Sequence, residues 1–332
     1  MSTTFRALIV EENPDGIPNR YIGSHSTDDL PAGDVLIQVA YSGLNYKDAL
    51  SASIHKGITR SYPHTPGVDA SGTVVESNDD EFKPGDRVLV TGYDLGMNTA
   101  GGFGEYIRVP ADWVVPVPES LDLREAMIFG TAGFTAALSI YRLELHGLTP
   151  GGGDVIVTGA TGGVGSMGVM MLAASGYRVV ASTGKTDQAD YLKRLGAAEI
   201  IHRDEINDTS GKPLLNRRWA GGIDTVGGNP LARLLAAMEY EGGIAVCGNV
   251  ASVDFSTTVY PFILRGAALI GINSATTPMP LRRELWKRIA SEWKSEHREE
   301  MANDVTLEEL NDEIERILRG EQRGRVVLGH GR

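Results

Sequence analysis

Up to about residue 122, apolar positions fall in short β-rich runs: FRALIV (5–10), DVLIQVAYSG (34–43), ASGTVVES (70–77), DRVLV (86–90) and EYIRVP (105–110). Turn signals at Pro66-Gly67 and Pro84-Gly85-Asp86 punctuate them. Strands at this spacing with few helices predict an antiparallel, barrel-like domain. The pattern changes near residue 123. Residues 123–143 are apolar and rich in small side chains without strand alternation, which reads as a buried helix entering a new domain. Continuous apolar runs then alternate with helical stretches, at 154–160, 177–183, 198–203, 221–226, 243–248 and 268–273. Strands covered on both faces by crossover helices carry such runs, so the second domain is predicted to be α/β with a doubly wound parallel sheet. The tail is a polar amphipathic helix, with a capping box at Thr306 and Glu309, a stripe of Leu307, Leu310, Ile314, Ile317 and Leu318, and a stop at Gly320. A last strand, 324–330, is expected to return to the first domain. The expected division is 1–122 with 299–332 against 123–298.

Charge and composition narrow the ligand class. Among 332 residues, 31 Lys and Arg face 43 Asp and Glu, a net charge of −12. This argues against nucleic acid, whose phosphates call for clustered cations. No run of about 18 uncharged apolar residues predicts a membrane span. A single cysteine, Cys247, makes no internal disulfide, and the strand-like start lacks signal-peptide character, so a reducing cytoplasm is expected. Small molecules or protein partners remain. The 41 glycines, about 12% against a usual 7%, have no collagen period and are expected to be positional.

The densest glycines lie in DVIVTGATGGVG (154–165), where an apolar strand runs into Gly159, Gly162, Gly163 and Gly165 before a helical stretch. A dinucleotide pyrophosphate approaches backbone N–H groups at a helix N-terminus, where a Cβ would hold it away. The spacing G-x-x-G-x-x-G is weak as a bare pattern; its setting between strand and helix, with further βα units beyond, makes it strong. About 20 residues on, an NAD site would carry Asp or Glu for the ribose hydroxyls. Here the second strand ends Ala181-Ser182-Thr183-Gly184-Lys185, and Arg203 closes the next strand. Hydroxyls and cations without a carboxylate suit a 2′-phosphate, so NADPH is the expected cofactor.

Dehydrogenases with a barrel domain first commonly use a catalytic zinc held by Cys and His. Cys247 stands alone, and the histidines at 25, 55, 64, 146, 202, 297 and 330 show no ligand spacing, so no metal is expected. Hydride transfer without a Lewis acid favours a substrate already activated by conjugation, an enone, enoyl thioester or quinone. Candidate hydrogen-bond donors lie in Ser42-Gly43-Leu44-Asn45-Tyr46-Lys47-Asp48, where a phenol can hold an oxyanion or protonate carbon and an amide can orient it. Spacing alone favours a loop and packing role for Tyr46 and Asn45.

Taken with SGLNYKDAL (42–50), GTAGFTAAL (130–138), VTGATGGVGS (157–166), ASTGK (181–185), IDTVGG (223–228) and TTVYPFILRG (257–266), the whole chain resembles the zinc-less medium-chain dehydrogenase/reductases. Within them it is similar to the YhdH/YhfP-type quinone oxidoreductases, which include NADPH-dependent acrylyl-coenzyme A reductases. The resemblance implies a Rossmann domain inserted into a GroES-like β-barrel domain, an active site in the cleft between them, and a homodimer paired through the strand near 268–273. It implies a catalytic Tyr46 with Asn45 and Asp48 beside it, and Tyr46 against the nicotinamide. The glycine loop becomes Ala160, Thr161, Gly162, Gly163 and Val164, and the 2′-phosphate group Ser182, Thr183, Gly184, Lys185 and Arg203. Asn249, Ile263 and Ser274 line the nicotinamide side, and Arg325 returns to the cleft.

The expected activity is NADPH-dependent reduction of the conjugated C=C of a thioester such as acrylyl-coenzyme A. The alternatives are a quinone or enone reductase of the same fold and a non-catalytic NADPH-binding sensor. For coenzyme A phosphates, Lys56, Arg60, Arg282 and Arg283 are the candidate cations.

Overall fold

In the computed structural model, which describes residues 2–331, the chain divides into two units, Met1–Thr131 with Ala275–Ala290 and Ala302–Arg332, and Ala132–Ser274 with Ser291–Met301. In the first, Thr4–Glu12 (β1) pairs antiparallel with Pro18–Ser26 (β2). Val35–Leu44 (β3) is followed at once by the short helix Tyr46–Ser51 (α1), then Asp69–Ser77 (β4), Arg87–Thr91 (β5), Tyr106–Val109 (β6), Val115–Pro116 (β7) and the helix Leu123–Leu145 (α2). β3 is the hub, antiparallel to β4 and to β6. The alternating apolar residues of these runs, among them Val35, Ile37, Val39, Val88, Val90 and Ile107, form one core.

The second unit holds Asp154–Val157 (β8), Gly163–Ala174 (α3), Arg178–Thr183 (β9), Ala189–Arg194 (α4), Glu199–His202 (β10), Trp219–Asp224 (β11), Gly228–Ala236 (α5), Met238–Val246 (β12), Tyr260–Arg265 (α6) and Ala268–Gly271 (β13). All pairings are parallel, in the order β10-β9-β8-β11-β12-β13. This is the expected doubly wound sheet: Ile156, Val180, Ile201 and Ile244 are buried with the apolar faces of the crossover helices.

Four last elements, Met279–Ile289 (α7), Ala302–Val305 (β14), Leu310–Leu318 (α8) and Arg325–Gly329 (β15), belong to the first unit. They complete a sheet ordered β14-β15-β3-β4-β5-β7, with β6 paired to β3 beside this path. β15 lies antiparallel to β3, setting Val326 opposite Leu44. The terminal run therefore rejoins the barrel.

Three features depart from the sequence reading. The first unit keeps residues up to Thr131 and takes 275–290, while 299–301 go with the second. The reasons are local: α2 is broken at Gly130 (φ 49°), and Thr131 donates to the carboxylate of Asp69. Arg282 on α7 is fully buried and donates to the Thr91 and Ala275 carbonyls over the ring of Tyr93. Second, α8 starts at Leu310; Glu309 accepts from the Thr306 backbone and hydroxyl in the turn before it, so the expected capping pair forms one turn early. Third, α2 is long and apolar enough by length and composition to match a membrane span, but 83% of that window is buried inside the protein, as in a core helix.

Candidate active site

In the second unit β8 turns at Thr158–Thr161 into α3, whose N-cap is Gly162 (φ −78°, ψ 174°). The turn is knit by Gly162 N–H to Gly159 O at 2.9 Å and Ala160 N–H to Ser182 O at 3.1 Å. Two glycines are required by the protein itself: Gly159 has φ +55°, and a Cβ on Gly165 would overlap the Gly159 carbonyl. Gly162 differs, since a Cβ there would meet only Gly159 O at 3.3 Å. The space above it is open, and the first N–H groups of α3, on Gly163, Val164 and Gly165, have no intrahelical acceptor. An open glycine over free N–H groups at the positive end of a helix is a cradle for an anion such as a pyrophosphate.

Beside the cradle, β9 ends with Ser182 and Thr183 buried and Gly184 exposed. Thr183 Oγ1 accepts from Lys185 N at 3.0 Å and lies 3.4 Å from Thr161 Oγ1, joining this turn to the glycine turn. A Cβ on Gly184 would stand 2.9 Å from Arg203 Cδ and Nε, so that guanidinium lies directly over Gly184. Ser182 Oγ is buried with no hydrogen-bond partner. The structure thus gathers Ala160, Thr161, Gly162, Gly163, Val164, Ser182, Thr183, Gly184, Lys185 and Arg203 at the carboxyl ends of β8, β9 and β10, where an α/β sheet binds its ligands. The residues fit a dinucleotide carrying a 2′-phosphate: cations are present and no carboxylate ends β9.

In the first unit, Asn45 caps α1 in an extended conformation (φ −121°, ψ 159°), and Asp48, at the third helical position, accepts its N–H at 2.8 Å. This reciprocal start allows a six-residue helix directly off a strand. Tyr46 is 41% exposed at the first helical position. Its neighbours are not. Asp48 is buried and accepts from Gly67 and Val68 N–H at 3.2 and 2.8 Å; burial, reinforced by nearby Asp69, pushes its carboxyl up to about 7. Asn45 donates to Gly43 O at 3.0 Å and to Asp69 Oδ2 at 2.8 Å, and accepts from Arg325 Nη1 at 2.9 Å.

These contacts correct three expectations. Asp48 and Asn45 are not free catalytic groups, because protein donors and acceptors consume their polar atoms. Arg325 is not a cofactor contact: its side chain is 2% exposed, and burial lowers its pKa despite the Asp69 and Asp48 charges. All three are hydrogen-bonded within the first unit, around the start of α1 that carries Tyr46. Asp69 and Thr131 are the members that the sequence reading missed. The signal was available, since an acid standing at the head of the apolar run ASGTVV calls for a buried partner.

The remaining expected residues lie in the second unit. Asn249 is exposed, Ile263 on α6 is 67% exposed, and Ser274 accepts from Thr135 Oγ1 at 2.8 Å. Of the cations considered for coenzyme A, Arg282 is buried and cannot serve, Lys56 pairs with Glu12, and Arg283 pairs with Glu81 at 2.6 Å. Arg60 is exposed. Cys247 donates to Asp224 O at 3.4 Å, and burial pushes its thiol up to about 12. Among the described residues no three His, Cys, Asp or Glu side chains form a group able to hold a metal ion.

Comparison with known proteins places these features in a family. Residues 31–119 match the Alcohol dehydrogenase GroES-like domain and 163–291 the family described as Zinc-binding dehydrogenase. The chain is 49% identical to the Putative quinone oxidoreductase YhfP of Bacillus subtilis over 99% of both chains. A solved structure of B. subtilis yhfP with NAD bound superposes with a TM-score of 0.96 at 48% identity, covering 98% of this chain and 99% of that one. The chain is 46% identical to the Acrylyl-CoA reductase AcuI of Ruegeria pomeroyi over 98% of both chains. The yhdH oxidoreductase of Salmonella enterica, solved in complex with NADP, superposes with a TM-score of 0.95 at 42% identity over 98% of this chain and 99% of that one. With its GroES-like domain and Rossmann-type parallel sheet, the chain is an oxidoreductase that belongs to the medium-chain dehydrogenase/reductases, in the group of YhfP, YhdH and the acrylyl-CoA reductases.

Proposed function

We propose that this protein reduces the conjugated C=C of an α,β-unsaturated acyl thioester such as acrylyl-coenzyme A, using NADPH. The observation that carries the reading is Tyr46: the side chains of Asn45 and Asp48 beside it are hydrogen-bonded within the protein, while Tyr46 itself is 41% exposed. The likeness to the acrylyl-CoA reductase of R. pomeroyi supports the substrate class. Bound NADPH supplies a hydride for the β-carbon. The chain's own groups do the rest: the N-terminus of α3 with Gly162 binds the pyrophosphate, and Lys185 and Arg203 bind the 2′-phosphate. The Tyr46 hydroxyl donates to the thioester oxygen, where negative charge develops as hydride adds to the β-carbon, and the resulting enolate takes its proton at the α-carbon from the Tyr46 hydroxyl or from water. The yhfP structure holds NAD and the yhdH structure NADP; the lack of a carboxylate at the end of β9 favours the phosphorylated cofactor here.

The test is NADPH oxidation followed with acrylyl-coenzyme A, crotonyl-coenzyme A, a benzoquinone and no acceptor. We expect acrylyl-coenzyme A to give the largest kcat/KM, and Tyr46→Phe to lower kcat about 10- to 100-fold. A benzoquinone reduced faster than either thioester would reassign the substrate to quinones, and turnover of none alongside tight NADPH binding would indicate a sensor.

The same reading includes a homodimer. β13 is the edge of the six-stranded sheet, hydrogen-bonded only through β12, and its Leu269 is 39% exposed. An unpaired edge with outward apolar residues is a template for pairing with a second copy. Sedimentation should find a dimer, and Leu269→Arg should shift it towards monomer; a wild-type monomer at micromolar concentration would refute the pairing.

A further inference from the structure

Asp69 and Arg325 form an ion pair of 3.2 Å whose side chains are 0% and 2% exposed. Desolvating two charges offsets most of their attraction, so such a pair is weak evidence for stability, and the groups that it holds say more about its role. Arg325 donates through Nε to Ile128 O at 3.1 Å and through Nη1 to Leu44 O at 3.0 Å and Asn45 Oδ1 at 2.9 Å. Asp69 accepts from Asn45 Nδ2 at 2.8 Å, from Thr131 N at 2.9 Å and from Thr131 Oγ1 at 2.6 Å. The amide of Asn45 is therefore gripped at its oxygen by the cation and at its nitrogen by the anion, which fixes both its place and its orientation. Room for this is built into the chain: a Cβ on Gly43 would stand 2.5 Å from Arg325 Nη2, and one on Gly130 2.8 Å from the same atom. The residue bonded to Asn45 is Tyr46.

We propose that the Asp69–Arg325 pair is a positioning device for Tyr46: by clamping Asn45 it locks the first turn of α1 and holds the phenol in one place. The clamp joins β4, β15, the break in α2 and the β3–α1 junction, so the C-terminal strand is part of the apparatus. The inference rests on Tyr46 acting as the hydrogen-bond donor.

Its test compares wild type, Asp69→Asn, Arg325→Lys, Tyr46→Phe and the Asp69→Asn/Tyr46→Phe double variant, with the acceptor that wild type reduces fastest. Asp69→Asn keeps the shape and removes the charge, while Arg325→Lys keeps the charge and removes the fork. We expect Asp69→Asn to lower kcat about 10- to 100-fold, the cost of a donor displaced by about 1 Å. The KM for NADPH should stay within about threefold, because the cofactor cradle is untouched. Amide exchange over residues 44–51 should quicken by about tenfold or more while that of 154–174 holds. In the Tyr46→Phe background the same substitution should cost less than about threefold, since the clamp acts through the hydroxyl that is already gone. Arg325→Lys should move in the same direction and answers the question if Asp69→Asn does not fold. Undiminished kcat in both folded variants, or an equal loss in both backgrounds, would make the pair merely structural and leave the reading of Tyr46 standing. Full activity of Tyr46→Phe would remove that reading, and the clamp's purpose with it.

Discussion

Replacing Arg325 by methionine should destabilise the protein by about 3–5 kcal/mol, the cost of leaving a buried charge without its partner. Methionine matches the length of the side chain but removes every donor, so Asp69 loses its counter-ion and the Ile128 and Leu44 carbonyls lose their hydrogen bonds. Asp48, buried near the Asp69 charge, then lacks a nearby cation, which favours its protonated form further. The sign of the pH dependence follows. Asp48 already has a folded-state pKa of about 7, above its value in the unfolded chain, so its contribution to stability is fully present below about pH 4 and is lost as pH rises through 7. Without the guanidinium the Asp48 carboxyl is raised further, so the deficit of the variant should be largest above neutrality and shrink on acidification. Urea unfolding at several pH values measures this. A loss below about 1 kcal/mol at pH 8, or a deficit that grows on acidification, would show that Arg325 is not the counter-ion of this pair.

Removing both cations, Lys185 after β9 and Arg203 after β10, should produce the second large effect. Lys185→Ala with Arg203→Ala is expected to raise the KM for NADPH about 30- to 150-fold while that for NADH changes by less than about threefold. Each charge-assisted bond contributes about 1–1.5 kcal/mol, less than a buried one because Arg203 is exposed. Every 1.4 kcal/mol is a factor of about ten. Salt should weaken NADPH binding to wild type more than to the double variant, since an exposed phosphate contact is screened. Equal losses for the two cofactors would mean that these residues support the fold of the turn and not the 2′-phosphate.

The cofactor half of the molecule was largely legible in the sequence, the Tyr46 half only in part. A phosphate cradle is a local object: strand, glycine turn and helix are consecutive, and the requirement at Gly159 and Gly165 arises from atoms a few residues away. Lys185 and Arg203 are separated by one βα unit, and the parallel register of β9 with β10, Thr183 opposite His202, places Arg203 over Gly184. The surroundings of Tyr46 are the opposite case. Asn45 meets a carboxylate 24 positions on and a guanidinium 280 positions on. Motif spacing does not encode such distances, which is why the burial and pairing of Asp48 and Arg325 were not legible in it, and why Asp69 and Thr131 went unassigned. Gly43 lies within β3, where its missing Cβ makes space for Arg325.

Sequence alone determined the class of fold, the division into a barrel-like and a doubly wound part, and the anion cradle, because periodicity and turn chemistry act over short stretches of chain. Tertiary structure alone decided which polar residues remain available for chemistry. Burial and pairing depend on what folds against a side chain from afar, and they tied down Asn45, Asp48 and Arg325 while leaving Tyr46 exposed.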